Sequence, residues 1–239
     1  MTSNAGVSER PGSWTRVGAS CPYTTRMKCA ICQIRRPRRF CPGVRGDICT
    51  VCCGEQREVT VSCPLDCEFL LEARKHERVE RIGPQALPNR DIVIKDGFLD
   101  EHESLFVYLA HILYSAAVET SGTVDSDVQE ALEGLIRTYR TLQSGVVYES
   151  IPTNPLAANV FRAVQRGLDD FRREETQGLG FSKTRDADVL KTLVYVQWTG
   201  LHSNNGRPRC RAFIGSMKEL DAAVTENAPT PPSSSLILP

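Results

Sequence analysis

Between residues 29 and 67 the chain reads CAICQIRRPRRFCPGVRGDICTVCCGEQREVTVSCPLDC, which holds eight of its ten cysteines and no histidine. A segment this short, with so few large apolar side chains, cannot fold on a hydrophobic core of its own. Its shape has to come from cross-links or from metal. The opening residues, MTSNAGVSERPGSWTR, carry no apolar leader, so a reducing cytoplasmic setting is expected, where dense thiols read as metal ligands before disulfides. An iron–sulfur cluster uses four thiolates and leaves four unexplained. A dithiol redox site lacks the βαβ surroundings such sites have.

Written as spacings, the segment is Cys29-x2-Cys32-x8-Cys41-x7-Cys49-x2-Cys52-Cys53-x9-Cys63-x3-Cys67. Two residues between cysteines let a tight turn aim both sulfurs at one tetrahedral ion, and eight thiols divide into two closed sets of four. Two structural Zn2+ ions are therefore expected. The spacing up to Cys52 resembles the cross-brace zinc fingers, most closely the second B-box type, over residues 29–67 alone. The likeness departs from that family where closing histidines are replaced by Cys63 and Cys67. It departs again where the fourth ligand falls on Val44, so that Cys53 has to substitute. The seven-residue gap before Cys49 fits a RING domain less well. The resemblance implies one ion on Cys29, Cys32, Cys49 and Cys52 and another on Cys41, Cys53, Cys63 and Cys67. A strict RING order would instead place Cys52 and Cys53 on one ion.

From Arg26 to Arg45 there are seven basic residues and no acidic one. Arg35, Arg36, Arg38, Arg39 and the neighbouring Phe40 are candidate nucleic-acid contacts, pairing phosphate neutralisation with a stacking ring. The competing reading is electrostatic. Residues 1–90 carry 15 Lys/Arg against 9 Asp/Glu, and eight thiolates with two zinc ions would bring that excess to about +2. On that reading the arginines balance anionic metal sites.

The remainder has helical periodicity, so the expected fold is mainly α: a bundle of about five helices preceded by the small cysteine-rich module. The expected organisation is a disordered segment at 1–25, a two-zinc module with a trailing helix at 26–83, a linker at 84–97 broken by Pro84 and Pro88, a bundle at 98–226 and a Pro/Ser tail at 227–239. Asp66 is the expected cap of the trailing helix, and Val59 and Val61 alternate as a strand would. Leu99 to Glu119 is apolar nearly all round, as a buried central helix is. Ser126 with Gln129 reads as a capping box, Asn154-Pro155 opens a third helix, and two more follow from about Asp186 and around Phe213.

His111 lies among apolar residues and reads as a core histidine; His76 and the acidic pairs near Asp169 and Glu174 read as solvated helix surface. Cys210 reads as a small buried residue and Cys21 as a free thiol. Asn205-Gly206-Arg207-Pro208-Arg209 is a basic turn, a helix connection with phosphate contact as its alternative. No P-loop, Gly-x-Ser-x-Gly or dinucleotide fingerprint occurs, and nothing marks a small-molecule substrate. The longest apolar run, residues 105–118, is too short to span a bilayer.

The expectation is thus a non-enzymatic, zinc-binding interaction protein, its module facing a protein partner and its helices acting as scaffold. A nucleic-acid-binding zinc finger is the alternative, and an enzyme with an unrecognised site among the helices is the third reading.

Overall fold

The computed structural model describes residues 28–77 and 82–227. The 1–25 segment, Cys21 and the SSSLILP tail lie outside the described residues. The cysteine-rich part is built from a hairpin and two helices. Strands β1 (Arg39–Cys41) and β2 (Gly46–Ile48) pair antiparallel with Arg39 opposite Ile48. Helix α1 (Thr50–Gln56) follows at once, and α2 (Glu68–His76) closes the unit. No strand forms at Val59 and Val61. The N–H groups of Val59, Thr60 and Val61 all turn to the Gln56 carbonyl, and Glu58 takes a left-handed φ of 55°, so this is a turn with only a bridge between Arg57 and Val61. The residue that caps α2 is Cys67, not Asp66, with no side-chain cap bond.

Six helices make the second part: α3 (Phe98–Glu101), α4 (Glu103–Glu119), α5 (Asp125–Gln143), α6 (Pro155–Leu179), α7 (Asp186–Ser203) and α8 (Ala212–Asn227). Five are long. The helix expected from Leu99 breaks at His102, whose φ of −123° interrupts the spiral before α4 resumes. With α1 and α2 the described residues hold eight α-helices, more than the periodicity counts because three are short. At α5 the capping carboxylate is Asp127, which accepts from Val124 N at 2.9 Å; Ser126 lies already inside the helix. Asn154 Oδ1 accepts from Leu156 N at 3.0 Å and Pro155 occupies the first helical position, where its missing N–H costs nothing.

Helix α4 packs against α6 and α8, and α5 against α6 and α7. The shared core holds Leu109, Leu113, Leu132, Ile136, Phe161, Val164, Leu193 and Phe213, each buried and each contributing about 1.5–3 kcal/mol by leaving water. His111 is exposed, contrary to the core reading. The buried stripe of α4 runs Leu105, Leu109, Leu113, Ala116, and position 111 falls on the other side of it. Cys210 is buried, and burial pushes its thiol up to about 12. The segment holding Pro84 and Pro88 forms a short 3-10 turn and lies along α7, with Trp198 Nε1 donating to the Pro88 carbonyl at 2.7 Å. No helix among the described residues is long and apolar enough to cross a membrane.

The cysteine-rich part is seated on the helices through one carboxylate. Glu58, 1% exposed, accepts from Arg74 Nη2 at 2.7 Å, Asn205 Nδ2 at 2.9 Å and Arg211 N at 3.2 Å. Its carbonyl accepts from Arg209 N at 2.8 Å, and Arg207 Nη1 donates to the Arg57 carbonyl at 2.7 Å. The basic turn after α7 is therefore a seat for the module as well as a helix connection.

Candidate metal centre

The first knuckle forms because the chain turns back on itself after Cys29. Gln33 N donates to the Cys29 carbonyl at 2.9 Å, and Gln33 takes a left-handed φ of 55°. The hairpin then returns the chain so that β2 delivers Cys49 to the start of α1. Cys49 occupies the N-cap position, its sulfur accepting from Cys52 N at 3.4 Å, and Cys49 N donates to Cys29 Sγ at 3.3 Å. One helical turn sets Cys52 beside Cys49. As a result the sulfurs of Cys29, Cys32, Cys49 and Cys52 all lie within 4.8 Å of one another.

That donor set fits a tetrahedral ion. Sulfurs held about 2.3 Å from a zinc ion lie about 3.8 Å apart, so only small contraction is needed. The electrostatics point the same way. Burial works against a Cys29 thiolate, yet the backbone N–H groups of Cys32, Cys49 and Ile31 outweigh it and lower the thiol to about 6. The N–H groups of Arg35 and Ile34 lower Cys32. Cys52 moves oppositely, to about 12, because of burial and of the sulfurs of Cys49, Cys32 and Cys29 beside it. Four thiols in one cage cannot all ionise unaided, and a divalent cation removes that conflict.

The other four cysteines are less tightly gathered. Cys41 ends β1, Cys53 follows Cys52 on α1, Cys63 leaves the Glu58 turn, and Cys67 precedes α2. All four line one cavity of about 20 Å³, with Arg39, Ile48, Phe69 and Leu70 among its other walls. This is room for one small occupant. Burial pushes the Cys63 thiol up, and Glu58, Cys67 and Cys41 add to the effect against one N–H bond from Glu58. The sulfurs of this set do not meet the mutual distance of the first four. No disulfide joins any of the cysteines described.

The arginines divide between two directions. Arg35 donates toward Cys49 and is held above its ordinary value by that sulfur and by Cys32 and Cys52. Arg39 Nη1 donates to Cys53 Sγ at 3.8 Å, and its guanidinium lies 3.9 Å from the centre of the Phe69 ring. These two face the thiols. Arg36 and Arg38 are exposed, as are Ile34 and Phe40, at 83% and 60%. Glu58, which seats the module, escaped sequence reading; inside a nine-residue spacer it looks like any surface glutamate.

No family model matches the chain, and neither a curated protein nor a solved structure matches it. The B-box likeness therefore rests on spacing, and what the geometry adds to it is a four-cysteine, zinc-finger-like cluster.

Proposed function

We propose that the chain is a zinc-binding, non-enzymatic interaction protein holding two structural Zn2+ ions, one on Cys29, Cys32, Cys49 and Cys52 and one on Cys41, Cys53, Cys63 and Cys67. The second assignment is supported by the single small cavity those four cysteines share. Four thiolates on each ion leave no position for a reacting water, which favours a structural role over catalysis. The ions would clamp the hairpin and both helices, and α4–α8 would act as the scaffold beneath.

The observation that carries the reading is the exposure of Ile34 and Phe40, which flank the exposed Arg36 and Arg38 in this segment. Rigid apolar side chains rimmed by cations suit a protein partner with an apolar groove and acidic edges. The test has two stages. Metal content by mass spectrometry on the full chain is expected to give two zinc per molecule; one or none overturns the two-ion assignment. Crosslinking of partners to the full chain is expected to be lost in Ile34→Asp and Phe40→Asp variants that keep their zinc, and unchanged crosslinking rejects the surface.

A second reading has one observation in its favour: Arg36 and Arg38 have no ion-pair partner among the described residues and lie just before the exposed Phe40 in sequence. A nucleic-acid function would use these three residues rather than Arg35 and Arg39. Binding of single-stranded RNA that falls steeply with salt and drops again in Arg36→Ala/Arg38→Ala would select it over the protein partner.

A further inference from the structure

The seam between the cysteine-rich part and the helices holds an open cleft of about 380 Å³. One wall is the hairpin turn and the strand of chain leading to the second cysteine set: Pro42, Gly43, Ser62 and Pro64. The other is the α4–α5 turn and the segment entering α8: Ser121, Thr123, Arg209 and Arg211. Its polar side chains are two guanidiniums, three hydroxyls and the Cys63 thiol, with no carboxylate. The cleft between α4 and α7 differs sharply, since Glu101, Glu175 and Asp188 line it.

Arg211 is the informative residue. Its Nε is buried and has no hydrogen-bond partner. The carboxylates close enough to act on it are Asp125 and Glu58, and both are already engaged. Asp125 accepts from Phe213 N at 3.0 Å and Ile214 N at 3.1 Å, and Glu58 accepts from Arg74, Asn205 and the Arg211 backbone. Arg74 lies nearby as a further cation. Arg209, by contrast, is exposed and holds Nη1 against Ser62 Oγ at 2.6 Å, so its remaining N–H groups are directed by a residue of the opposite wall. The module wall is itself tightly built: a Cβ on Gly43 would stand 2.6 Å from the Ser62 carbonyl oxygen. Two forked donors with hydroxyls between them, in a lining that holds no carboxylate, constitute a receptor for a tetrahedral oxyanion.

We propose that this cleft is a phosphate site, with Arg209 and Arg211 gripping the oxyanion and Ser62 and Ser121 completing its hydrogen bonds. The ligand class is inorganic phosphate or a small phosphate monoester. The apolar borders at Pro42, Pro64 and Val124 give an ester's organic part a surface to lie on. Because the walls come from both parts of the chain, a bound phosphate would also tie the module to the helices.

The experiment is isothermal titration of the zinc-loaded full chain with inorganic phosphate and, separately, with phenyl phosphate, at fixed ionic strength in chloride. One-site saturable binding is expected, tighter for phenyl phosphate if esters are the natural ligands and equal for the two if free phosphate is. Arg211→Gln is expected to weaken binding at least tenfold and Arg209→Gln at least fivefold, while Arg166→Gln, on the outer face of α6, leaves it unchanged. Circular dichroism and zinc content establish that each variant is folded. Should Arg211→Gln fail to fold, the exposed Arg209→Gln decides the matter. Absence of saturable binding by either ligand, or wild-type affinity in the folded arginine variants, overturns the proposal. Neither result bears on the zinc assignment, which is read by metal content alone.

Discussion

Replacing Glu58 by alanine should be among the most damaging single changes to this chain outside its cysteines. The side chain is almost wholly buried and meets three donors: the Arg74 guanidinium, itself 18% exposed, the Asn205 amide and the Arg211 N–H. Removing one partner of a buried ion pair costs about 3–5 kcal/mol, because the other charge stays buried and unmatched. Arg74 retains some access to water, so the lower end, about 3 kcal/mol, applies. The left-handed backbone at residue 58 is equally unfavourable for both side chains, so the difference reports the side chain alone. Glu58→Gln keeps an oxygen for Arg74 but turns an amide toward Asn205 Nδ2. Asn205 cannot flip to accommodate it, since its oxygen already accepts from Arg207 N at 3.1 Å. About 2 kcal/mol is expected there, from one lost bond and a lost charge. Urea unfolding followed by circular dichroism measures both, and the cycle with Arg74→Ala isolates the pair. A loss below about 1 kcal/mol in Glu58→Ala would refute the reasoning, since the carboxylate would then not be what seats the module.

Other outcomes test separate parts. On the proposed two-ion assignment, Cys49→Ser is expected to lower zinc content from two ions to one per chain, read by mass spectrometry, because Cys49 would ligate one ion as well as cap α1. Gly43→Ala should cost about 1–3 kcal/mol in the same urea assay, since its methyl would meet the Ser62 carbonyl oxygen at 2.6 Å and Val61 Cγ1 at 2.8 Å. Gly54→Ala, inside α1 with only the end of Arg57 at 4.0 Å, should stabilise by about 0.5–1 kcal/mol. Burial raises the Asp125 carboxyl above its ordinary 3.8, against bonds from Phe213 N and Ile214 N. The folded chain therefore binds more protons than the unfolded one between that value and the raised one, and stability falls as pH rises through the window. Asp125→Asn removes this slope, and an unchanged profile of urea midpoints from about pH 4 upward would contradict it.

What the sequence disclosed followed from how far its signals reach along the chain. The knuckle spacings are local, so each pair could be anticipated from them, while the meeting of Cys29 and Cys32 with Cys49 and Cys52 was what the B-box resemblance implied. The long helices were legible too, because an apolar stripe repeats within each. Helix α1 was hidden, since its inward positions are cysteines and its cap is a thiol rather than a hydroxyl or carboxylate. Asp127 displaced Ser126 at α5 because its carboxylate reaches back to Val124 N, a choice that composition alone does not rank. His111 was misplaced because an apolar neighbourhood in sequence is not an apolar side of a helix. The seat at Glu58 was illegible for a different reason: its partner Asn205 lies 147 residues away, and nothing near either residue announces the other.

That seat alters how the arginine-rich segment should be read. A basic run on an isolated finger would offer all its cations outward, but here Arg35 and Arg39 turn to sulfur while Arg207, Arg209 and Arg211 are drawn to the module from the far side. The cysteine-rich part thus meets arginines on two sides, at its sulfurs through Arg35 and Arg39 and at the segment 57–62 through Arg207 and Arg209. The side chains Ile34, Arg36, Arg38 and Phe40 stay exposed, and on the proposed reading they are the strip offered to a partner. Cutting the chain after residue 83 would strip Glu58 of Asn205 and of the Arg211 N–H and expose a carboxylate that the intact protein hides. Binding by such a fragment would then report the cut surface as much as the native strip, which is why partner and phosphate measurements alike belong on the full chain.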